Sequence, residues 1–404
     1  MTIFHYKAIK PSGEVFEGDV EAKDKSDVFN IINTGGISLV LAEEAEKNKK
    51  ILTKINEFLS TVKTQEKIIF ARNLGAMIKA GLSGARAISV MERQTKNKFF
   101  KEILFEAGEQ IKKGRPLSEA LKLHPKIWSN LFAAMVKAGE ESGDLAGSLS
   151  EIANQMEKAN TLRKKIIGAM IYPLIIFFVM IMIGVLMLIY VVPTLTATFK
   201  ELDVELPITT RSIIFTSDFM KGNSFVFILI LLAIFLAGYY FYRSKRGKRY
   251  LDFISTRIPL IGNLVKENNS AKTTRTLSSL LLSGVEVVSA ITITKDVIGN
   301  GYYKEVLDEA ISGIQKGTQV SEIFEKHENL YPVFVAEMIA VGEETGKLSE
   351  MLVRVAEYYE SEIEQQTKNL STIIEPLLMV VIGVAVGFFA VSMIMPMYSL
   401  VNGL

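Results

Sequence analysis

The sequence predicts a mainly α-helical membrane protein built from a repeated unit, with a small α+β module at its N-terminus. Three observations lead to this fold class. The chain of 404 residues matches itself at one fixed offset, so that Arg275 follows Arg72 by 203 residues. Apolar residues make up 49% of the chain and gather in long runs. The polar blocks between these runs show the apolar spacing of helices.

The repeat is marked by residues that keep their spacing in both copies. The first copy contains Arg72, Gly81, Gly114, His124, Gly139-Glu140-Glu141, Gly143 and Pro173, and the second contains Arg275, Gly284, Gly317, His327, Gly342-Glu343-Glu344, Gly346 and Pro376. Each copy is a polar block that continues into an apolar stretch. The repeated unit is therefore expected to be a helical domain joined to a membrane anchor.

The composition excludes several classes of function. The chain has no cysteine, which rules out disulfides, thiolate metal sites and thiol nucleophiles. A net charge of +2 gives no general affinity for polyanions, so nucleic acid is not an expected partner.

Residues 1–44 differ from the rest of the chain. Phe4, Tyr6 and Ala8 alternate with other residues as in a strand, and Pro11-Ser12-Gly13 predicts a turn. A second strand, a short helix to Ile32 and a third strand complete a predicted ββαβ module. Residues 45–63 are charged and are expected to be a linker.

Two blocks, residues 64–165 and 270–370, are predicted to form bundles of six helices each. In the first block, Gly81 and Gly114 are suited to end the first and third helices. Pro116 is suited to the first turn of the fourth helix.

Three segments are long and apolar enough to cross a bilayer: residues 166–193, 225–242 and 371–396. Residues 194–224 are expected to be a loop, 243–269 a connector and 397–404 a tail. The basic residues lie before the first span and after the second, so the positive-inside rule places both polar blocks and the N-terminus in the cytoplasm. The 194–224 loop and the C-terminal tail are then extracytoplasmic. The second span returns the chain so that both copies keep one orientation.

The sharpest local motif is Gly139-Glu140-Glu141-Ser142-Gly143-Asp144, which returns at Gly342-Glu343-Glu344-Thr345-Gly346. The glycines are suited to a tight turn between helices, with Ser142 or Thr345 capping the helix that follows and the acidic side chains near its N-terminus. An alternative is that Glu140, Glu141 and Asp144 bind a divalent cation. A third interpretation makes the acidic pairs Glu140-Glu141 and Glu343-Glu344 docking surfaces.

Arg72 and Arg275 lie in apolar helix faces, where each is suited either to helix-end carbonyls or to a surface role. His124 and His327 are expected to be structural residues at helix ends. In the apolar spans, Gly383 and Gly387 form a GxxxG pair and Gly184 aligns with Gly387, so close helix packing within the chain or between chains is one interpretation. Pro173 and Pro376 bound these spans.

The sequence has no nucleophile–base pair and no recurring metal-ligand cluster, so neither an enzyme nor a cofactor is expected. A small-solute transporter and a membrane-tethered signalling scaffold are alternatives from other classes. Against transport, no Asp, Glu, Lys, Arg or His lies between Pro173 and Pro193 or between Pro376 and Pro396, so no intramembrane charge marks a path.

Several motifs resemble those of the type II secretion F family. They are Phe70-Ala71-Arg72, Lys79-Ala80-Gly81, Lys113-Gly114-Arg115-Pro116-Leu117-Ser118-Glu119-Ala120-Leu121, Gly139-Glu140-Glu141-Ser142-Gly143, Tyr172-Pro173, Val192-Pro193 and Leu206-Pro207. The second copy departs from the pattern at Gln319, the counterpart of Pro116, and at Glu328.

The resemblance implies an inner-membrane platform protein of a type IV pilus or type II secretion machine. Such a protein is expected to couple a cytoplasmic hexameric ATPase to the insertion or extraction of pilin or pseudopilin subunits. The implied partners also include other inner-membrane assembly components, membrane lipid and further copies of the chain.

Overall fold

A computed structural model of the chain describes residues 2–9, 15–22, 25–32, 38–44, 61–201, 206–259 and 261–402. The predicted turn at residues 11–13, most of the predicted 45–63 linker and the last two residues of the tail lie outside the described residues. The contacts define two compact units, Met1–Lys63 with Thr95–Ile103, and Thr64–Gln94 with Leu104–Leu404.

The N-terminal residues form three strands and one helix in the order β–β–α–β. The strands are β1 (Thr2–Ile9), β2 (Val15–Ala22) and β3 (Ser38–Glu44), and the helix is α1 (Lys25–Ile32). Both neighbours of β1 pair with it antiparallel, giving the sheet order β2-β1-β3. The β1–β3 register shifts between Lys7 and Ala8. In α1, Val28 is fully buried.

The first copy of the repeat contributes six helices. They are α2 (Thr64–Lys79), α3 (Gly84–Gln94), α4 (Lys98–Lys112), α5 (Leu117–Lys122), α6 (Asn130–Ser142) and α7 (Leu145–Leu186). Pro116 lies just before α5, where its fixed φ suits the helix start and its missing N–H costs nothing. Gly81 and Gly114 follow α2 and α4 with positive φ, in agreement with the prediction.

The second copy repeats these helices almost residue for residue. After the connecting elements described below come α12 (Ile261–Leu282), α13 (Val287–Val297), α14 (Gly301–Ile314), α15 (Val320–Glu325), α16 (Val333–Thr345) and α17 (Leu348–Asn402). The starts of α13, α15, α16 and α17 lie 203 residues after their counterparts. The positive-φ glycines of the described residues also form three pairs at this offset.

The cores of the two copies differ in chemistry at one shared place. In the first copy, the rings of Phe70 and Trp128 pack 4.9 Å apart and both side chains are buried. Thr273 and Tyr331 occupy the equivalent positions in the second copy, where their hydroxyls are 3.0 Å apart. An aromatic contact in one copy is therefore a hydrogen bond in the other.

Within the described part of the chain, three helical segments are long and apolar enough to cross a membrane, as predicted. The first and third of these apolar segments are not helices of their own, because each is the continuation of a helix that begins in a polar block. α7 has 42 residues and runs from the polar block into the apolar stretch, and α17 has 55 residues and does the same. The predicted starts of these spans, residues 166 and 371, therefore lie inside a helix rather than at its beginning. α17 also continues past Pro396 to Asn402, so residues 397–402 of the predicted tail are helical.

The predicted loop at residues 194–224 is wrong, because most of it is helical. A π-helical turn (Met187–Val191) follows α7 and leads into α8 (Val192–Glu201), and α9 (Ile208–Gly222) returns. A small core holds these helices together, formed by Val192, Phe199, Ile213, Ile214 and Met393.

Hydroxyl groups tie α9 to its neighbours. Ser217 donates to the carbonyl of Leu188 inside the π turn, where the ordinary helical hydrogen bonding is interrupted. Thr210 donates to the carbonyl of Ser392 in α17. The third apolar helix therefore packs on the segment that was predicted to be a loop.

Two further helices complete the path between the copies. α10 (Ser224–Arg243) has 20 residues, about 30 Å of helix, and matches the predicted second span. α11 (Lys245–Ser255) lies within the predicted 243–269 connector, and α12 begins nine residues before the predicted start of the second block.

Candidate functional site

The repeated Gly-Glu-Glu motif lies at the end of α6 and of α16. Gly143 and Gly346 follow these helices with φ of 77° and 71°, a left-handed conformation that suits glycine. Ser142 does not cap the next helix, because its hydroxyl donates back to the Gly139 carbonyl. Thr345 likewise donates to the Val341 carbonyl. The predicted capping role of both residues is therefore wrong, and in the first copy Asp144 caps α7 by accepting from the Gly147 N–H.

The first glycine of each motif allows two helices to approach closely. A Cβ atom on Gly139 would lie 2.6 Å from the Cβ of Ser148. On Gly342 it would lie 2.8 Å from the Cα of Leu348. Since backbone atoms cannot move aside as a flexible side chain can, a side chain at Gly342 would force α16 and α17 apart.

Glu140 and Glu343 reach a helix earlier in the chain rather than the one that follows. Glu343 accepts the N–H groups of Val320 and Ser321 at 2.7 and 3.0 Å and also the Ser321 hydroxyl. Glu140 makes the same three contacts with Leu117 and Ser118. The residues just before α5 and α15, Pro116 and Gln319, provide no side-chain cap.

These carboxylates therefore cap α5 and α15 from a distance. Each satisfies N–H groups that a helix leaves unpaired at its start, and its negative charge faces the positive end of the helix dipole. The predicted interaction with the helix that follows is therefore wrong for Glu140 and Glu343, whereas Asp144 does cap that helix in the first copy. A signal was available in Ser118 and Ser321, small hydroxyl residues in the first turn of each short helix.

Glu141 and Glu344 are the exposed members of the two acidic pairs. Glu141 pairs with Lys137 one turn earlier, with 3.3 Å between Nζ and Oε1. Because the Glu140 carboxylate already accepts three hydrogen bonds at the start of α5, it is not available to bind a cation together with Glu141 and Asp144. Within the described ranges, no group of three or more His, Asp or Glu side chains could hold a metal ion.

Arg72 and Arg275 bind carboxylates rather than helix-end carbonyls, so the carbonyl interpretation is wrong. Arg275 is buried and forms two hydrogen bonds of 2.8 Å with Glu360. Arg72 bonds Glu157, the residue equivalent to Glu360, but this pair is about half exposed. Each pair joins the first long helix of its copy to the last, because Glu157 lies in α7 and Glu360 in α17.

The repeated histidines are also paired. His124 Nε2 lies 2.9 Å from Glu106, and His327 Nε2 lies 2.8 Å from Glu309, the equivalent residue. Each histidine follows the end of a short helix, the position that was expected of a structural residue.

The two copies contact each other through different surfaces. α6 and α7 of the first copy meet α12, α13 and α17 of the second. The polar contacts are Glu151–Ser279, Asn130–Asp296, Lys158–Glu357 and Lys165–Glu364. The hydrogen bond and charge of Lys158 lower the pKa of Glu357, and those of Lys165 lower the pKa of Glu364. Both carboxylates therefore favour the ionised, paired form.

The membrane-helix residues lie in different surroundings. Pro173 is buried and Pro376 is exposed, each inside a helix. Gly184 lines an apolar groove of about 490 Å³ between α7 and α17, with Val179, Ile382 and Phe389 among its other residues. A Cβ on Gly383 or Gly387 would meet nothing within 4 Å. The GxxxG pair therefore forms no seam with the residues that the structure describes, and the interpretation as close packing within the chain is wrong for them.

These features define a membrane protein whose duplicated helical domain continues without a break into apolar helices. A family model described as type II secretion system protein F matches residues 70–193 and again residues 273–396. The two matched segments are themselves 203 residues apart, the offset of the repeated glycines. The chain belongs to the type II secretion system protein F family.

Curated relatives cover the whole chain. The type IV pilus assembly protein PilC of Thermus thermophilus is 34% identical over 404 residues, which is 100% of this chain and 99% of the relative. PilC of Myxococcus xanthus is 29% identical, with 99% of this chain and 95% of the relative covered. Type II secretion system protein F of Xanthomonas campestris pv. campestris is 28% identical, with 100% of both covered. The relatives thus belong to pilus and secretion machines alike.

Proposed function

We propose that this chain is the inner-membrane platform protein of a type IV pilus or type II secretion machine. In this role it couples a cytoplasmic hexameric ATPase to the insertion or extraction of pilin or pseudopilin subunits. The names of the relatives support the assignment to a pilus or secretion machine. The role is mechanical, with no chemical step of its own.

The observation that carries the proposal is the continuity of α7 and α17. At about 1.5 Å per residue, the 42 residues of α7 extend about 63 Å and the 55 residues of α17 about 82 Å. Each helix is therefore longer than a membrane is thick. A push on the helical domain displaces the membrane end of the same helix, because no loop separates the two ends. Pro173 and Pro376 lie inside these helices without ending them.

The contacts between α7 and α17 favour a joint movement. Lys158 pairs with Glu357 at 3.0 Å and Lys165 with Glu364 at 2.6 Å, so two ion pairs link the helices next to the apolar segments. The Arg275–Glu360 pair ties α17 to α12 at the same level. Exposed pairs contribute little individually, but together they fix the relative position of the helices.

The apolar groove between α7 and α17 is the proposed contact for the membrane helix of a pilin subunit. Its lining is almost wholly aliphatic and aromatic, and Gly184 leaves room for a close approach. Gly383 and Gly387 have open space above them and are proposed to contact a second copy of the chain. The exposed Glu141 and Glu344 are the proposed docking residues for the ATPase or another assembly component.

The proposed orientation places both helical domains and the N-terminus in the cytoplasm. Its basis is the group of basic residues Arg163, Lys164 and Lys165 before the first apolar segment and Lys245, Arg246, Lys248 and Arg249 after the second. The α8–α9 hairpin and the C-terminus are then extracytoplasmic.

The test uses a strain that lacks the gene and is complemented with variants. The insertion Gly-Gly-Ser-Gly after Ile167 interrupts α7 at the edge of its apolar segment while both helical domains keep their contacts. We expect normal protein level and retained co-purification with the ATPase, but loss of fibres. The same insertion after Gly222, between α9 and α10, is the control and is expected to leave fibres intact.

Two results would contradict the proposal at different levels. Normal fibres in the strain without the gene would exclude the platform role. Normal fibres with the insertion after Ile167 would exclude transmission through α7 while leaving the platform role in place.

A further inference from the structure

A cavity of about 430 Å³ lies between α7, α12 and α17. Its lining contains three cations, Arg163, Lys272 and Arg275, and one carboxylate, Glu360. Because Arg275 and Glu360 neutralise each other in their paired hydrogen bonds, the remaining charge of +2 comes from Arg163 and Lys272.

Across the described residues, no carboxylate lies within ion-pair distance of Arg163 or Lys272. Part of the Lys272 side chain reaches solvent, but the protein atoms around it, and secondarily the charge of Arg163, lower its pKa. Two like charges brought to one cavity repel each other, and an anion between them would relieve this cost.

The position of the cavity indicates which anion it suits. Ile166 and Ile167 also line it, and they begin the apolar stretch of α7. The cavity therefore lies at the level where a membrane helix passes from charged to apolar surroundings, which is the level of lipid headgroups.

The cavity belongs to the junction of the two copies and is not repeated. The residue equivalent to Lys272 is Ile69, and the residue equivalent to Arg163 is Gln366. Both positive charges are thus missing from the corresponding places. Their presence here is not a general property of the repeated fold.

We propose that this cavity binds the phosphate headgroup of an anionic phospholipid, with Arg163 and Lys272 contacting the phosphate. The acyl chains then extend along the apolar surface of α7 that begins at Ile166. Lipid binding is a property separate from the proposed assembly role. The lipid would lie where the first copy of the repeat contacts the second. A volume of about 430 Å³ is within the usual size of small-molecule sites and accommodates a glycerophosphate group.

The test measures lipid retention by the full-length protein in detergent with native mass spectrometry. The probes are dioleoyl phosphatidylglycerol, dioleoyl phosphatidylcholine and inorganic phosphate. We expect phosphatidylglycerol to bind at least tenfold more tightly than phosphatidylcholine. The double variant Arg163→Gln with Lys272→Ile, which introduces an uncharged side chain at both positions, is expected to weaken phosphatidylglycerol about 30-fold.

The matched control is Lys164→Gln with Lys248→Gln. It removes the same net charge from exposed basic residues next to apolar helices, but neither residue lines the cavity. We expect its affinity for phosphatidylglycerol to stay within threefold of the unmodified protein. If the double variant fails to fold, Arg163→Gln alone, at an exposed position, is expected to weaken binding about fivefold.

Three outcomes would overturn the proposal. The first is equal loss of phosphatidylglycerol in the control and the cavity variants. The second is undiminished binding in the cavity variants. The third is inorganic phosphate binding as tightly as phosphatidylglycerol and displacing it, which would assign the cavity to a soluble phosphate compound. None of these outcomes bears on fibre assembly, so the platform proposal is tested separately.

Discussion

Removing the distant cap of α15 should loosen this helix selectively. The change Glu343→Ala deletes a carboxylate that accepts three hydrogen bonds, from the N–H groups of Val320 and Ser321 and from the Ser321 hydroxyl. Val320 and Ser321 are buried, so water replaces these bonds only in part. The start of α15 then loses both its acceptors and the favourable charge at its positive end.

The size of the effect follows from these contacts. A hydrogen bond to a charged group contributes about 1.5–3 kcal/mol, and loss of a helix cap costs about 0.5–2 kcal/mol. The three bonds share one carboxylate and are not additive, and Glu343 is only partly buried. We therefore expect about 2–3 kcal/mol, which corresponds to about a 30- to 150-fold loss of protection against amide exchange.

Hydrogen–deuterium exchange of the peptide containing residues 320–325 measures this loss. Glu344→Ala is the matched control, because Glu344 is the exposed neighbour in the same motif. Glu140→Ala should produce the corresponding effect at residues 117–122 in the first copy. Unchanged exchange in Glu343→Ala, or an equal increase in Glu344→Ala, would refute the capping role and restore the interpretation of Glu343 as a surface residue.

Two further predictions concern glycine packing and pH. Gly342→Ala should lower the free energy of unfolding by about 1–3 kcal/mol, because the new Cβ would lie 2.8 Å from the Leu348 Cα, whereas Gly383→Ala meets open space and should change it by less than about 0.5 kcal/mol. Equal thermal shifts for the two variants would contradict this. Burial raises the pKa of Glu267, an effect that the hydrogen bond from Gln366 opposes and the charge of Glu362 reinforces. The folded state then binds more protons than the unfolded state, so this residue lowers stability as the pH rises through the usual glutamate pKa of 4.5 and above. Glu267→Gln should therefore raise the thermal midpoint relative to the unmodified protein more at pH 7 than at pH 4, and an identical difference at both pH values would exclude this linkage.

Features encoded locally or by the repeat could be predicted from the sequence. The mainly helical class follows from apolar spacing, the repeat from the fixed offset, and the three apolar helices from runs without charges. The glycines after α2 and α4 were also identified correctly, because a helix end at Gly81 or Gly114 depends on the local backbone alone.

Contacts between distant residues were not predictable in this way. Glu140 lies 22 and 23 residues from the N–H groups it accepts, and Arg275 lies 85 residues from Glu360. Ser118 and Ser321 mark the helix starts that need an acceptor, but nothing in the local sequence tells which acidic residue supplies it. The carboxylates therefore looked like surface groups available to a cation or a partner.

The α8–α9 hairpin was missed for a different reason. Its prolines, Pro193 and Pro207, and its mixed charges are typical of a loop. Yet Thr210, Ile213, Ile214 and Ser217 keep the spacing of one helix face, and all four are buried. The hydroxyl residues Thr210 and Ser217 lower the hydrophobicity of this face, so its apolar pattern is too weak to indicate a helix.

The different cores of the two copies have a consequence for their evolution. A tyrosine at Trp128 would place a hydroxyl against the Phe70 ring, and a phenylalanine at Thr273 would deprive the Tyr331 hydroxyl of its partner. Either single exchange leaves a buried polar group unsatisfied, at a cost of about 1–3 kcal/mol. Gene conversion that copies only one member of such a pair from one half to the other therefore lowers stability. A chimera that exchanges both members of the pair together avoids this cost.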